Sequence, residues 1–119
     1  MIWKMVLENE DDKIDFNLYQ SLAQRTSNTK TKSDKIGNGL MGMNGESGEA
    51  IDILKKHLYQ GHELDRDKII EEAGDVLWYI AETCTGLGIS MEELARKNIG
   101  KLVERYPDGF DVDKSLNRE

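Results

Sequence analysis

Between Ile69 and Leu87 the apolar residues run through Ala73, Val76, Ile80 and Cys84, at steps of 4, 3, 4, 4 and 3. That is the period of an α-helix, and a strand would need steps of two. The only proline, Pro107, lies beyond this stripe. Nothing earlier in the chain forbids long helices, since no ring removes an amide or clashes with the preceding turn.

Three further stretches share the period. From Asp15, Phe16, Leu18, Tyr19, Leu22 and Ala23 predict a helix ending near Thr26. Leu40, Met43, Ala50, Ile53 or Leu54, and Leu58 predict a second, stopped by Gly61 as a residue able to turn left-handed. Asp65 or Asp67 can cap the Ile69 helix, and Gly86 and Gly88 end it. Ser90 and Glu93 form a capping box before Met91, Leu94, Asn98, Leu102 and Tyr106. Ser27 to Lys35 is polar and aperiodic and reads as a mobile loop. Met1 to Leu7 alternates weakly, as a short strand or an ordered arm would. The expected organisation is an arm over 1–14, a helical domain over 15–110 and a polar, fraying tail over 111–119. Short connections between the last three helices imply an all-α, four-helix-type antiparallel bundle.

Composition qualifies this picture. The chain has 119 residues, enough for one domain. Hydrophobic residues make up 38% and charged ones 33%, so the core is lean and apolar surface shared between subunits would complete it. A net charge of -7 argues against binding nucleic-acid polymers through bulk charge. One cysteine, Cys84, leaves no internal disulfide and favours a reducing compartment. No apolar run approaches the ~20 residues of a membrane span, and Met1 to Leu7 is too short for a signal peptide. A cytoplasmic location, away from membranes, is expected.

The chemistry lies in the acids. Glu46 and Glu49, and again Glu72 and Asp75, stand three apart on neighbouring helices. On a helix that spacing puts Cβ atoms roughly 5–6 Å apart, so each pair can aim at one point and all four can converge. Single acid pairs are common on solvated surfaces. These two, however, interleave with Met43, Ala50 and Ile53, and with Ile69, Ala73 and Val76. Two carboxylates ~6 Å apart repel by roughly 3 kcal/mol at an effective dielectric near 20, so four together call for a cation. All-oxygen ligands select a hard ion, Mg²⁺, with Mn²⁺ as a possible substitute. Gly42, Gly45, Gly48 and Gly74 beside the acids are tolerable if helices or a ligand approach closely there. Asn98, Lys101 and Arg105 share one face of the last helix, and Lys56 lies on the Glu49 face. Acids flanked by bases suit metal-assisted phosphoryl or nucleotidyl hydrolysis.

Other signals weigh less. Gly37, Gly39 and Gly42 match a dinucleotide-binding spacing but follow no strand. His57 and His62 read as surface, and Cys84 as inert packing. Trp78 and Tyr79 read as core or interface, while Tyr19 and Gln20 are weak candidates for base recognition.

Gly39 to Ala50 (GLMGMNGESGEA), Glu71 to Ile80 (EEAGDVLWYI) and Asn98 to Pro107 (NIGKLVERYP) resemble, in order, three segments of MazG-like nucleotide pyrophosphohydrolases. Tyr19 to Thr26 is similar to the start of small, single-domain members. The resemblance spans about Tyr19 to Phe110. It implies an all-α, Mg²⁺-dependent enzyme that cleaves nucleoside triphosphates between the α and β phosphates and clears non-standard or surplus nucleotides. It further implies that Glu46, Glu49, Glu72 and Asp75 bind the metal and carry catalysis. Lys101 and Arg105, with Asn98, would hold phosphates, and a homodimer or homotetramer would build the site. Gly45 stands where some members carry a further glutamate. Two other readings compete: a non-catalytic helical dimerisation or regulatory module, and a pyrophosphohydrolase of a related phosphoribosyl nucleotide.

Overall fold

The computed structural model describes residues 2–117. Met1, and Arg118 and Glu119, which end the expected arm and tail, lie outside the described residues. The elements in chain order are α1 (Ile2–Glu8), α2 (Phe16–Ala23), a 3₁₀ turn (Gln24–Thr26), α3 (Lys32–Tyr59), α4 (Arg66–Leu87), α5 (Met91–Arg105) and α6 (Val112–Leu116). Among the described residues there is no strand. The all-α expectation holds, and the initial segment is a helix rather than a strand.

Local chemistry sets the helix boundaries. Asp15, Thr31, Asp65 and Ser90 cap α2, α3, α4 and α5, each accepting a backbone amide three residues on. Gly88 closes α4 in the left-handed conformation, at φ 73°. Thr31 corrects the loop expectation: Lys32 to Lys35 form the first turn of α3, so the connection from the 3₁₀ turn is only residues 27–31.

The centre of the fold is the antiparallel hairpin of α3 and α4. Its close approach is a seam of glycines. A Cβ on Gly39 would meet Thr83 N and Tyr79 O at 2.9 Å, and one on Gly86 would meet Ile36 N and Lys32 O at 2.9 Å. One on Gly42 would run into the Tyr79 ring. Gly45, Gly48 and Gly74 face open space. The expected close packing therefore occurs above the acids, at Gly39, Gly42 and Gly86, and not around Gly45, Gly48 and Gly74.

α2 lies across the open end of the hairpin, against the C-terminal half of α4 and the start of α5. The core there is small: Ala23, Ala81, Cys84 and Met91, flanked by Tyr19, Leu77, Trp78, Ile80 and Ile89. Gln20 joins the three helices. Its Nε2 donates to Thr85 Oγ1 at 3.1 Å and to Ile89 O at 3.0 Å, and its Oε1 accepts Met91 N at 2.8 Å. Elsewhere the apolar stripes lie open. Ile51, Leu58, Ile70, Ile99 and Val103 are all more than half exposed.

Candidate metal centre

The antiparallel register that sets Gly42 against Tyr79 carries Glu46 of α3, one turn further on, opposite Glu72 and Asp75 of α4. One carboxylate oxygen from each of Glu46, Glu72 and Asp75 lies within 4.8 Å of the others. Glu72 is buried, and its Oε2 and that of Glu46 are enclosed without a hydrogen-bond partner. A buried carboxylate oxygen with no donor is costly unless a cation meets it. The donor set is all oxygen, which fits a hard divalent ion.

Electrostatics reflect the crowding. The Glu72 carboxyl is held above its ordinary value, first by the Glu46 carboxyl set against it and next by burial, with the charges of Glu46 and Asp75 adding to this. Glu49 pulls it the other way. Tyr19 on α2 is raised by burial and then by the charge of Asp75.

Thr26, Glu46, Asp75, Trp78 and Tyr79 line an open cavity of about 360 Å³. Trp78 stands on edge to Tyr79, with ring centroids 5.1 Å apart. Its Nε1 donates to Ala23 O at 3.0 Å and to Thr26 Oγ1 at 2.9 Å. A second, mostly apolar cavity of about 370 Å³ lies on α1 and α2 and shares Thr26 and Trp78 as its wall.

The residues named from the sequence divide into two groups. Glu46, Glu72 and Asp75 converge. Glu49 is exposed and outside the tight trio, although it bears on Glu72. Lys56 pairs with Asp52 on its own helix at 3.1 Å. Asn98 and Lys101 are exposed and Arg105 half-buried on α5. No hydrogen bond or ion pair among the described residues ties these three to the acids. Gln20 holds the core together, His57 and His62 sit at the surface joined by a 2.9 Å contact, and Cys84 is fully buried.

Sequence reasoning missed Glu82. It is fully buried on α4 and accepts four hydrogen bonds. Ser27 Oγ (2.7 Å) and Gln24 Nε2 (3.0 Å) donate to Oε1, and Asn38 Nδ2 (2.8 Å) and Thr29 Oγ1 (3.1 Å) donate to Oε2. Lys35 Nζ lies 3.5 Å from Oε1. Burial would push this carboxyl up, but the bonds from Asn38, Gln24, Ser27 and Thr29 outweigh it and bring it to about 2. The available signal was an acid between Ala81 and Cys84, where α4 is otherwise small or apolar.

The family described as the MazG nucleotide pyrophosphohydrolase domain matches residues 38–110. The chain is also similar to the Gene 37 protein of Mycobacterium phage L5. The two are 33% identical over 82 residues, which is 66% of this chain and 72% of that protein. No solved structure matches the chain.

Proposed function

The chain belongs to the MazG nucleotide pyrophosphohydrolase domain family, and from that premise we propose that it is a Mg²⁺-dependent nucleoside triphosphate pyrophosphohydrolase. The reaction is cleavage of the α–β phosphoanhydride, giving a nucleoside monophosphate and pyrophosphate. One observation carries the reading. Within the matched segment, three carboxylates meet within 4.8 Å and two of their buried oxygens lack any donor.

Glu46, Glu72 and Asp75, with Glu49 at the margin, would hold the ion, with Mn²⁺ as its possible substitute. When bound, Mg²⁺ supplies charge to the phosphate oxygens and Lewis-acid polarisation of the attacking water. The protein's own part is to position. Glu46 and Glu49 present carboxylates from α3, one of which takes the proton of the water. Trp78 and Thr26 wall the cavity beside the acids, and the apolar cavity behind them offers room for the nucleoside. Lys101 and Arg105, with Asn98, would hold the phosphates, and Lys56 would join them on leaving Asp52. The exposed apolar residues of α3, α4 and α5 support a homodimer or homotetramer in which these bases reach an acid cluster. Among the described residues, no helix is long and apolar enough to cross a membrane. A cytoplasmic enzyme clearing non-standard or surplus nucleotides is consistent with that.

The test is product analysis over standard and modified nucleoside triphosphates, and a phosphoribosyl nucleotide, with and without Mg²⁺. Monophosphate and pyrophosphate in equal amounts support the reading, and orthophosphate rejects α–β cleavage. No turnover and no Mg²⁺ binding heat would favour a regulatory module.

A further inference from the structure

Glu82 lies seven residues beyond Asp75, so it shares that face of α4, about 10 Å further along the axis. There it gathers polar groups from three segments. Gln24 lies in the 3₁₀ turn, Ser27 and Thr29 lie in the connection, and Lys35 and Asn38 lie in the first turns of α3. Lys35 closes the cluster, donating to Gln24 Oε1 at 2.9 Å, Ser27 Oγ at 3.1 Å and Thr29 O at 3.2 Å. The connection is thereby held at Ser27 and Thr29. Thr26, the residue that both walls the acid cavity and accepts the Trp78 indole, sits between Gln24 and Ser27. Folding alone does not account for the arrangement. A buried ion pair is weak evidence for stability, and apolar residues of the same volume commonly serve as well or better.

We infer that Glu82, through Ser27, Thr29 and Lys35, is a positioning residue that fixes Thr26 and Trp78 as the wall of the substrate cavity. It touches neither the metal ligands nor the reacting bond, so its removal acts on substrate binding. The kinetic part of this inference rests on the pyrophosphohydrolase reading above, whereas the structural part does not.

The experiment compares three variants in a Trp3→Phe background, which leaves Trp78 as the only tryptophan. Ser27→Ala with Thr29→Val loosens the connection and keeps the buried charge. Glu82→Gln keeps the shape and removes the charge. Glu82→Gln with Lys35→Met removes both charges, so that stability is regained while the connection stays unbound. Acrylamide quenching of Trp78 is expected to rise in all three. KM for the triphosphate is expected to rise about tenfold, the equivalent of one lost charge-assisted hydrogen bond, with kcat and Mg²⁺ affinity within about twofold. A KM that returns to the wild-type value whenever stability returns means a purely structural role and overturns the inference. So does unchanged quenching in the Ser27→Ala/Thr29→Val chain, a variant that leaves the buried pair intact and keeps one donor on each Glu82 oxygen. If the unsubstituted chain turns over no nucleotide, the pyrophosphohydrolase reading fails, and quenching alone still decides whether Glu82 sets the wall.

Discussion

The ring of Tyr79 occupies the space in which Gly42 would carry a side chain. A rigid aromatic cannot yield there as the end of a lysine would. Gly42→Ala is expected to destabilise the fold by about 1–3 kcal/mol, the range of overpacked cores, and to lower activity by displacing Glu46 and Asp75 one turn away. Gly45→Ala, which enters open space, is expected to stabilise by up to about 1 kcal/mol through helix propensity. Urea unfolding of the two variants checks both signs, and equal effects would refute the seam.

Asp75→Asn removes one of the three converging carboxylates. Turnover is expected to fall about a hundredfold, near 2.7 kcal/mol of barrier, with the fold retained by circular dichroism. Glu49→Gln is expected to lose most activity too, while retaining more Mg²⁺ affinity than Asp75→Asn because Glu49 stands outside the trio. Calorimetric Mg²⁺ titration alongside the assay separates the two, and near wild-type turnover in either would contradict the site.

Glu72 carries a pH signature. Its folded-state value is raised, so its stabilising contribution is present below the ordinary glutamate range and is lost as pH rises through the folded value. In chelator at neutral pH, Glu72→Gln is therefore expected to melt higher than wild type, and the gap should close towards pH 4. Added Mg²⁺ should raise the melting temperature of wild type only. A variant that melts lower than wild type in chelator would show that the carboxylates are not in conflict.

Glu82 has the opposite sign. Its value falls from 4.5 to about 2 on folding, so the unfolded chain binds more protons and stability declines as pH drops through that window. Acid titration of wild type against Glu82→Gln should show a steeper loss between about pH 4.5 and 2 in wild type. Parallel curves would mean that the carboxylate is not held by its donors.

Gln20→Ala breaks three bonds joining α2, α4 and α5. The expected cost is about 1–3 kcal/mol for the groups left unpaired, with nucleotide preference unchanged. Altered base selectivity at full stability would restore Gln20 to a recognition role.

The helices and the acid pairs were legible because period and spacing are local properties of a sequence. The α4 stripe, the Asp65 and Ser90 caps and the Gly88 stop needed nothing beyond neighbours in the chain. What escaped depends on long-range pairing. Ser27 and Thr29 read as solvated loop because their partner, Glu82, lies more than fifty residues away. Gly39 read as part of a glycine spacing and Gly86 as a helix stop, whereas with α3 and α4 in register both are points of close approach, and α4 runs through Gly86 to Leu87. That no hydrogen bond or ion pair among the described residues ties Asn98, Lys101 and Arg105 to the acids was equally invisible, since three such residues on one face say nothing about what that face meets.

The glycine seam has a further consequence for ion choice. The gap between Glu46 on one helix and Glu72 and Asp75 on the other is fixed one turn away, by how near α3 can come to α4 at Gly42. Mg²⁺ demands oxygens at about 2.1 Å and Ca²⁺ accepts about 2.4 Å. For an ion held there, the hairpin spacing would act as a gauge of ionic radius, adjustable by one methyl group at Gly42, a residue outside the acid trio.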